Sequence, residues 1–368
     1  TEFNLLAGDL GLLAGGYFLG FASMQIPLGY LLDKHGPKKI VSSFLLIAIV
    51  GTASFALAQS FAGLFISRIL IGAGVSACLM GPLTGYRIWF ADEYQQRGNS
   101  WMLMIASTGF VFSTLPVQIL LSIFGWRWIF GGITILIFIV IILILLFIPS
   151  WKNETDNNNE KNFGSLSDIW KNKFFRSTIP LGLFNYGGMI AIQTLWAGPW
   201  MVRVAGYNPL ESATGLFWIN TTMLIAFFVW GYILPKITKY GLETKKLMKF
   251  GLPISYLFLL VIIISGENAG AIHFTIYILT SIVLTLAQPA IALSFPASLA
   301  GKSLTSFNLL IFLGTFIMQW GIGLVIDMCR FLGKGEIQSF QISFFVYLLI
   351  CIFSYLYFIC NNKNLKNE

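Results

Sequence analysis

Charge is scarce in this sequence. Asp, Glu, Lys and Arg supply 10% of its 368 residues and hydrophobic residues supply 57%, whereas soluble domains carry about 25% charged residues. Mean hydropathy is +0.78. Such a chain cannot cover a water-facing surface of its size, which excludes a soluble globular fold. Histidine is scarcer still, with His35 and His273 the only two and 238 positions apart. Apart from Asp9, Asp33 and Asp327 at or near the ends of apolar runs, those runs hold no acidic side chain. An intramembrane enzyme needs clustered His, Asp or Glu, so the chain is not read as an enzyme. The four cysteines, Cys78, Cys329, Cys351 and Cys360, show no metal-ligand spacing and read as small buried residues, so no metal site is expected. No Gly-x-x-x-x-Gly-Lys-Ser/Thr run is present, which disfavours ATP-driven transport, and no cofactor is implied. The net charge of +8 is spread over separate loops rather than gathered in one patch, so nucleic acid is not an expected partner.

What the chain has in abundance is long apolar runs. Eleven are long enough to cross a bilayer at about 1.5 Å rise per residue: about 9–32, 40–59, 62–90, 100–123, 128–149, 177–200, 213–235, 249–266, 272–296, 303–327 and 339–360. The expected fold class is therefore an all-α membrane protein. With the loop after the first run taken as cytoplasmic, that side holds seventeen Lys/Arg. The other side holds only Arg127, Arg203, Arg330 and Lys334, and Arg68 and Arg87 lie within a run. The positive-inside rule then places the C-terminus in the cytoplasm. Residues 150–176, rich in Asn, Glu, Lys and Ser, read as a polar cytoplasmic linker, with Leu166–Phe175 able to form a surface helix.

Between the first two runs lies Gly29-Tyr30-Leu31-Leu32-Asp33-Lys34-His35-Gly36-Pro37-Lys38-Lys39. The pattern G-x-L-x-D-x-x-G-x-K-K resembles the loop between the second and third helices of the major facilitator superfamily. Two further runs are similar to that superfamily: Arg68-Ile69-Leu70-Ile71-Gly72-Ala73-Gly74, like its helix-four R-x-x-x-G-x-G, and the outer turn Gly125-Trp126-Arg127-Trp128. An echo of the first loop at Gly231-Tyr232-Ile233-Leu234-Pro235-Lys236, offset by 202 residues and lacking the aspartate, fits parallel halves. The resemblance implies two pseudo-symmetric six-helix bundles. Residues 1–149 would hold helices two to six and 177–368 helices seven to twelve. It also implies that helix one is missing from this chain, with Thr1–Asp9 its outer connection. A multi-pass protein of a bacterial inner membrane, working as a monomer, is expected.

Each motif has a chemical reading. Gly29 is expected to let helices approach closely. Asp33, at a helix end, is expected to accept hydrogen bonds from a neighbouring helix N-terminus and to pair with Arg97 as a cytoplasmic gate, alongside Gly36, Lys38 and Lys39. A buried arginine is costly in a membrane, so Arg68, with Gly72 and Gly74, marks a functional helix four. Tyr86, on the face of Arg68, and Arg87 are candidate cavity residues, although Arg87 near a helix end also fits snorkelling. At about 100° per residue, Asn185, Met189, Gln193, Trp196 and Trp200 share one helical face. His273, Tyr277, Ser281 and Gln288 form a second stripe, and Asn308, Thr315 and Gln319 a third. Uncompensated amides are costly in lipid, so these faces look into the bundle or a wet cavity. Interhelical hydrogen bonding would account for them equally well.

The function implied is secondary transport of a small polar organic solute (an amino acid, dipeptide or organic anion) by alternating access. Protons are a candidate second partner, with coupling to another ion, uniport or exchange left open. Multidrug efflux is the alternative, weakened by the sparse glycines around Pro116. A non-transporting sensor on the same fold normally carries an added soluble domain or a long tail. The absence of arginine from Leu12–Leu32 disfavours nitrate. The runs Gln193–Trp200, Thr305–Leu310 and Gln319–Gly323 resemble bacterial facilitators known simply as transporters, a broad group whose distant relatives include lysosomal dipeptide carriers.

Overall fold

The computed structural model describes residues 5–150, 166–239 and 244–362. Within them the side chains of Asp33, Arg87 and Arg97 lie outside the described set. The described residues are helical without a strand. The described residues form two compact units. The first holds residues 13–109 and 119–150; the second holds 5–12, 110–118, 166–239 and 244–362.

In chain order the early helices are α1 (Ala7–Ser23), α2 (Gln25–His35), α3 (Pro37–Leu57), α4 (Phe61–Val75), α5 (Ala77–Trp89), α6 (Asp92–Phe112) and α7 (Leu115–Phe147). The sequence dictates several of their ends. Gly36 turns the chain between α2 and α3 at φ 75°, a left-handed conformation that glycine adopts without steric cost. Pro37 follows as the first residue of α3, where its missing N–H costs nothing. The Ser60 hydroxyl caps α4 by accepting from Gly63 N at 3.2 Å. Gly125, also at φ 75°, breaks α7 within the Gly125–Trp128 turn. There the Arg127 guanidinium donates to the Ala58 carbonyl at 3.2 Å and lies 4.2 Å from the Trp126 ring. Phe55 of α3 meets the Phe130 ring at 4.2 Å, and Thr134 donates to Thr52 at 2.9 Å, joining α7 to α3.

The later chain begins with α8 (Leu166–Lys171) and α9 (Lys173–Pro180), followed by a π-helical turn over Leu181–Tyr186. Then come α10 (Gly187–Ala191), a second π-helical turn over Ile192–Trp196, and α11 (Ala197–Arg203). The remaining helices are α12 (Pro209–Lys239), α13 (Thr244–Ser265), α14 (Ala271–Thr280), α15 (Ala287–Leu293), α16 (Ala297–Phe331) and α17 (Glu336–Asn362). Ile169 and Phe175 are fully buried in the core of this unit, so one face of α8 and α9 is packed inward.

Nine helical segments among the described residues are long and apolar enough to span a membrane, two fewer than the sequence count. Two physical reasons account for the difference. The run 177–200 is cut by its π-helical turns into short α-helical pieces. The run 100–123 is split at Ser113–Thr114, and the helix before the break carries the polar segment Asp92–Ser100.

At one end of the second unit, Asp327 of α16 caps the start of α1. Its carboxylate accepts from Ala7 N at 3.1 Å and Gly8 N at 2.5 Å, where the helix dipole favours negative charge. Arg330 bridges Asp327 at 3.1 Å and Glu336 at 2.5 Å. Gly11 and Gly323 make this packing close: a Cβ on either would strike backbone across the α1–α16 contact. Asp327→Asn is expected to lower stability by about 1–2 kcal/mol through the loss of a charged cap and one ion pair. A falling thermal midpoint in detergent checks this; an unchanged midpoint contradicts it.

Candidate functional site

The residues of the Gly29–Lys39 loop separate into distinct local roles. Gly36 makes the turn described above. Around Gly29 no described atom lies within 4 Å of where a Cβ would sit. Lys34 places its ammonium 5.6 Å from the Tyr30 ring. Lys39 is exposed and Lys38 half-buried. The expected Asp33–Arg97 pair, like Arg87, rests on side chains outside the described residues, as does most of the motif echo at 231–246.

Helix α4 holds the most unusual side chain of the first unit. Arg68 lies over the Phe55 ring of α3 with its guanidinium carbon 5.3 Å from the ring centre. Its Nε is buried and has no hydrogen-bond partner among the described residues. Cation–π contact supplies about 1 kcal/mol, no more than the hydrogen bond that the buried Nε forgoes. The helix around it is pinned by glycine. A Cβ on Gly72 would run into the Tyr17 carbonyl of α1, and one on Gly74 into the Ala48 backbone of α3. Across the same contact, a Cβ on Gly20 of α1 would strike the Ile69 carbonyl. Arg68 is thus held on a rigid, closely packed helix. Tyr86 of α5 stacks on Phe90 at 5.5 Å, and Gly98 of α6 packs against its ring.

In the second unit the 185–200 stripe does not keep to one face. The two π-helical turns wind more slowly than an α-helix, so an angle of about 100° per residue does not carry through them. Asn185, buried, donates to Cys351 O at 3.3 Å and Ser354 Oγ at 2.9 Å, and accepts from the Tyr256 hydroxyl at 2.7 Å. Gln193 donates to Asn220 of α12 at 2.9 Å. The Trp196 indole donates to the Gln319 carbonyl of α16 and the Trp200 indole to Ala269 O, each at 3.1 Å. Both tryptophans are fully buried, Trp200 among Phe274, Phe340 and Phe344. Tyr277 and Tyr347 pair through their hydroxyls at 3.1 Å, and Gln288 donates to Asn308 at 2.8 Å. His273 accepts from Gly270 N at 3.3 Å through Nδ1, at the start of α14.

One polar cluster keeps spare hydrogen-bonding capacity. The Gln319 amide donates to Thr194 Oγ1 at 3.0 Å, yet Gln319 Oε1 and Thr221 Oγ1 are buried without a partner among the described residues. Thr194 is exposed and Gln193 half-buried, so this hydrogen-bonded group is not sealed within the core. Thr194, Asn220 and Thr221 are the residues that sequence reasoning passed over. The polar triplet Asn220-Thr221-Thr222 inside an otherwise apolar run was the available signal.

A model of the Major Facilitator Superfamily matches residues 1–319, and the chain belongs to that superfamily. An uncharacterized transporter of Buchnera aphidicola subsp. Schizaphis graminum is 27% identical over 183 residues, covering 48% of this chain and 45% of the relative. A probable sulfoacetate transporter of Cupriavidus necator is 22% identical over 224 residues, covering 56% of this chain and 51% of that protein. The chain thus spans about half the length of these curated relatives. Among solved structures, a bacterial homologue of the human lysosomal transporter Spinster, inward-facing and occupied, matches with TM-score 0.77 at 15% identity. That match covers 98% of this chain and 90% of the other. The Escherichia coli fucose:proton symporter matches with TM-score 0.59 at 16% identity, over 94% and 90%. At these identities the likeness establishes the fold.

Proposed function

We propose that this protein is a secondary transporter of a small polar organic solute bearing an acid group (an amino acid, a dipeptide or an organic anion) working by alternating access. The observation that carries the reading is Arg68, a guanidinium in an apolar helix whose buried Nε has no partner among the described residues. A membrane-embedded cation is expensive, and such a residue is retained where it meets an anion. A carboxylate or sulfonate would supply the missing acceptors. In the second unit, Gln193, Thr194, Asn220 and Gln319 offer amide and hydroxyl groups for the neutral polar part of a cargo. Membership of the superfamily and the names of its relatives agree with transport, and the probable sulfoacetate carrier is one relative whose cargo is an organic anion.

The halves 1–149 and 177–368 are proposed as the two bundles of the transport cycle. The Asp33–Arg97 pair is the proposed cytoplasmic gate, with the C-terminus on that side. The carboxylates at the ends of the first and the α16 spans are engaged, Asp9 by Leu6 N and Asp327 by Ala7, Gly8 and Arg330, so neither is assigned to proton coupling.

Ligand-induced stabilisation tests the substrate class. A ligand that binds only the folded protein raises stability by about 2.7 kcal/mol at a hundred times its Kd. Amino acids, dipeptides and organic acids, added singly to the full-length protein in detergent, are expected to include at least one that raises the thermal midpoint. Stabilisation by lipophilic cations alone would transfer the assignment to efflux.

A further inference from the structure

A groove of about 290 Å³ runs along the surface of the second unit, lined by Pro180, Phe184, Ile350, Phe353, Ser354 and Tyr357. It lies between the α9 end of the sixth sequence run and helix α17. Its walls are apolar, and Phe353 is 68% and Tyr357 46% exposed. Ser354, which also lines it, accepts from the Asn185 amide at 2.9 Å, and the rest of the lining is mostly apolar, so the groove offers little to a polar solute. Near one end, the Asn362 amide donates to Ser177 at 2.9 Å and fastens α17 to α9.

Among the described residues, the charge beside that end is mostly positive. Lys173 and Arg176 are exposed and lie seven and four residues before Pro180 along α9, on one helical face with it. Exposed Lys171 adds a third cation, against the single acid Asp168 in α8 and α9. A cationic cluster at the mouth of an apolar groove on a membrane-embedded helix pair matches an amphiphile with an anionic head and a hydrocarbon tail. A soluble anion would leave the groove empty, and a zwitterionic lipid would leave the cations without a net counter-charge.

We propose that this groove is a binding site for an anionic phospholipid, its acyl chain against Phe184, Phe353 and Tyr357 and its phosphate at Lys173 and Arg176. The site is distinct from Arg68 and from the Gln193–Gln319 cluster, and it stands whatever the cargo proves to be.

The test uses the full-length protein in phosphatidylethanolamine vesicles containing a phosphatidylglycerol with a photoreactive acyl chain. Label is expected on the peptides that hold Pro180–Phe184 and Ile350–Tyr357, displaced by excess phosphatidylglycerol but not by excess phosphatidylethanolamine. With Lys173→Gln and Arg176→Gln combined, apparent affinity is expected to fall about thirtyfold at low salt, the attraction of two surface cations. Label spread evenly over the lipid-facing helices, or displaced equally by both lipids, would overturn the proposal. The competition arm needs no variant, so a misfolded mutant cannot obscure it.

Discussion

Gly72→Val is expected to destabilise the protein by about 3 kcal/mol or more and to lower its thermal midpoint sharply. A Cβ at position 72 would collide with the Tyr17 carbonyl and stand 3.0 Å from Phe21 N. Both obstacles are backbone, so no rotamer change relieves them. Overpacking a well-filled core costs about 1–3 kcal/mol and sometimes more, and a backbone clash between two helices falls at or beyond the upper end. Folded proteins are stable by only about 5–15 kcal/mol. Gly20, facing the other way across the same contact, removes the option of sliding α1 aside, because it is itself in contact with the Ile69 carbonyl region. The internal control is Gly109→Ala in α6, where no described atom lies within 4 Å of the new Cβ. There the substitution only stiffens a helix and is expected to be neutral or to stabilise by up to about 1 kcal/mol. Size-exclusion profiles and thermal midpoints of the two variants in detergent check the contrast. Equal behaviour would mean that α1 and α4 are not packed as described.

Arg68→Gln is expected to act on binding more than on folding. Removing one member of a desolvated, hydrogen-bonded charge pair costs about 2–5 kcal/mol. Apparent affinity for a cargo with an acid group is therefore expected to fall at least about thirtyfold. The folded protein loses little, since the Phe55 contact is worth about 1 kcal/mol and the buried Nε has no partner among the described residues to lose. Arg68→Lys is expected to recover only part of the affinity, because an ammonium cannot give an acid the paired donors of a guanidinium. Ligand titrations alongside thermal midpoints separate the two effects. A large fall in midpoint with unchanged affinity would make Arg68 a structural residue.

Much of the fold was legible because bilayer thickness imposes a length that hydropathy reveals. The turn at Gly36-Pro37 and the break at Gly125 were legible because glycine and proline carry their backbone preferences with them. The 185–200 stripe was not, because its prediction assumed an even α-helical winding that two π-helical turns interrupt. The cap on α1 was illegible in principle, since Asp327 lies 320 positions from Ala7 and only the folded chain brings them together. For the candidate site, Arg68 was visible as a charge in an apolar run. Its want of a partner, and the spare acceptor on Gln319, emerged only with the side chains in place.

The central claim is that this chain moves a small acid-bearing solute across a membrane. Uptake of radiolabelled amino acids, dipeptides and organic acids by the full-length protein in proteoliposomes, with a pH dye inside, tests it most directly. The account predicts that at least one of them accumulates above protein-free vesicles and that Arg68→Gln removes that accumulation; the dye reports whether protons move with it. No uptake of any of them by a folded protein that transports lipophilic cations would contradict it.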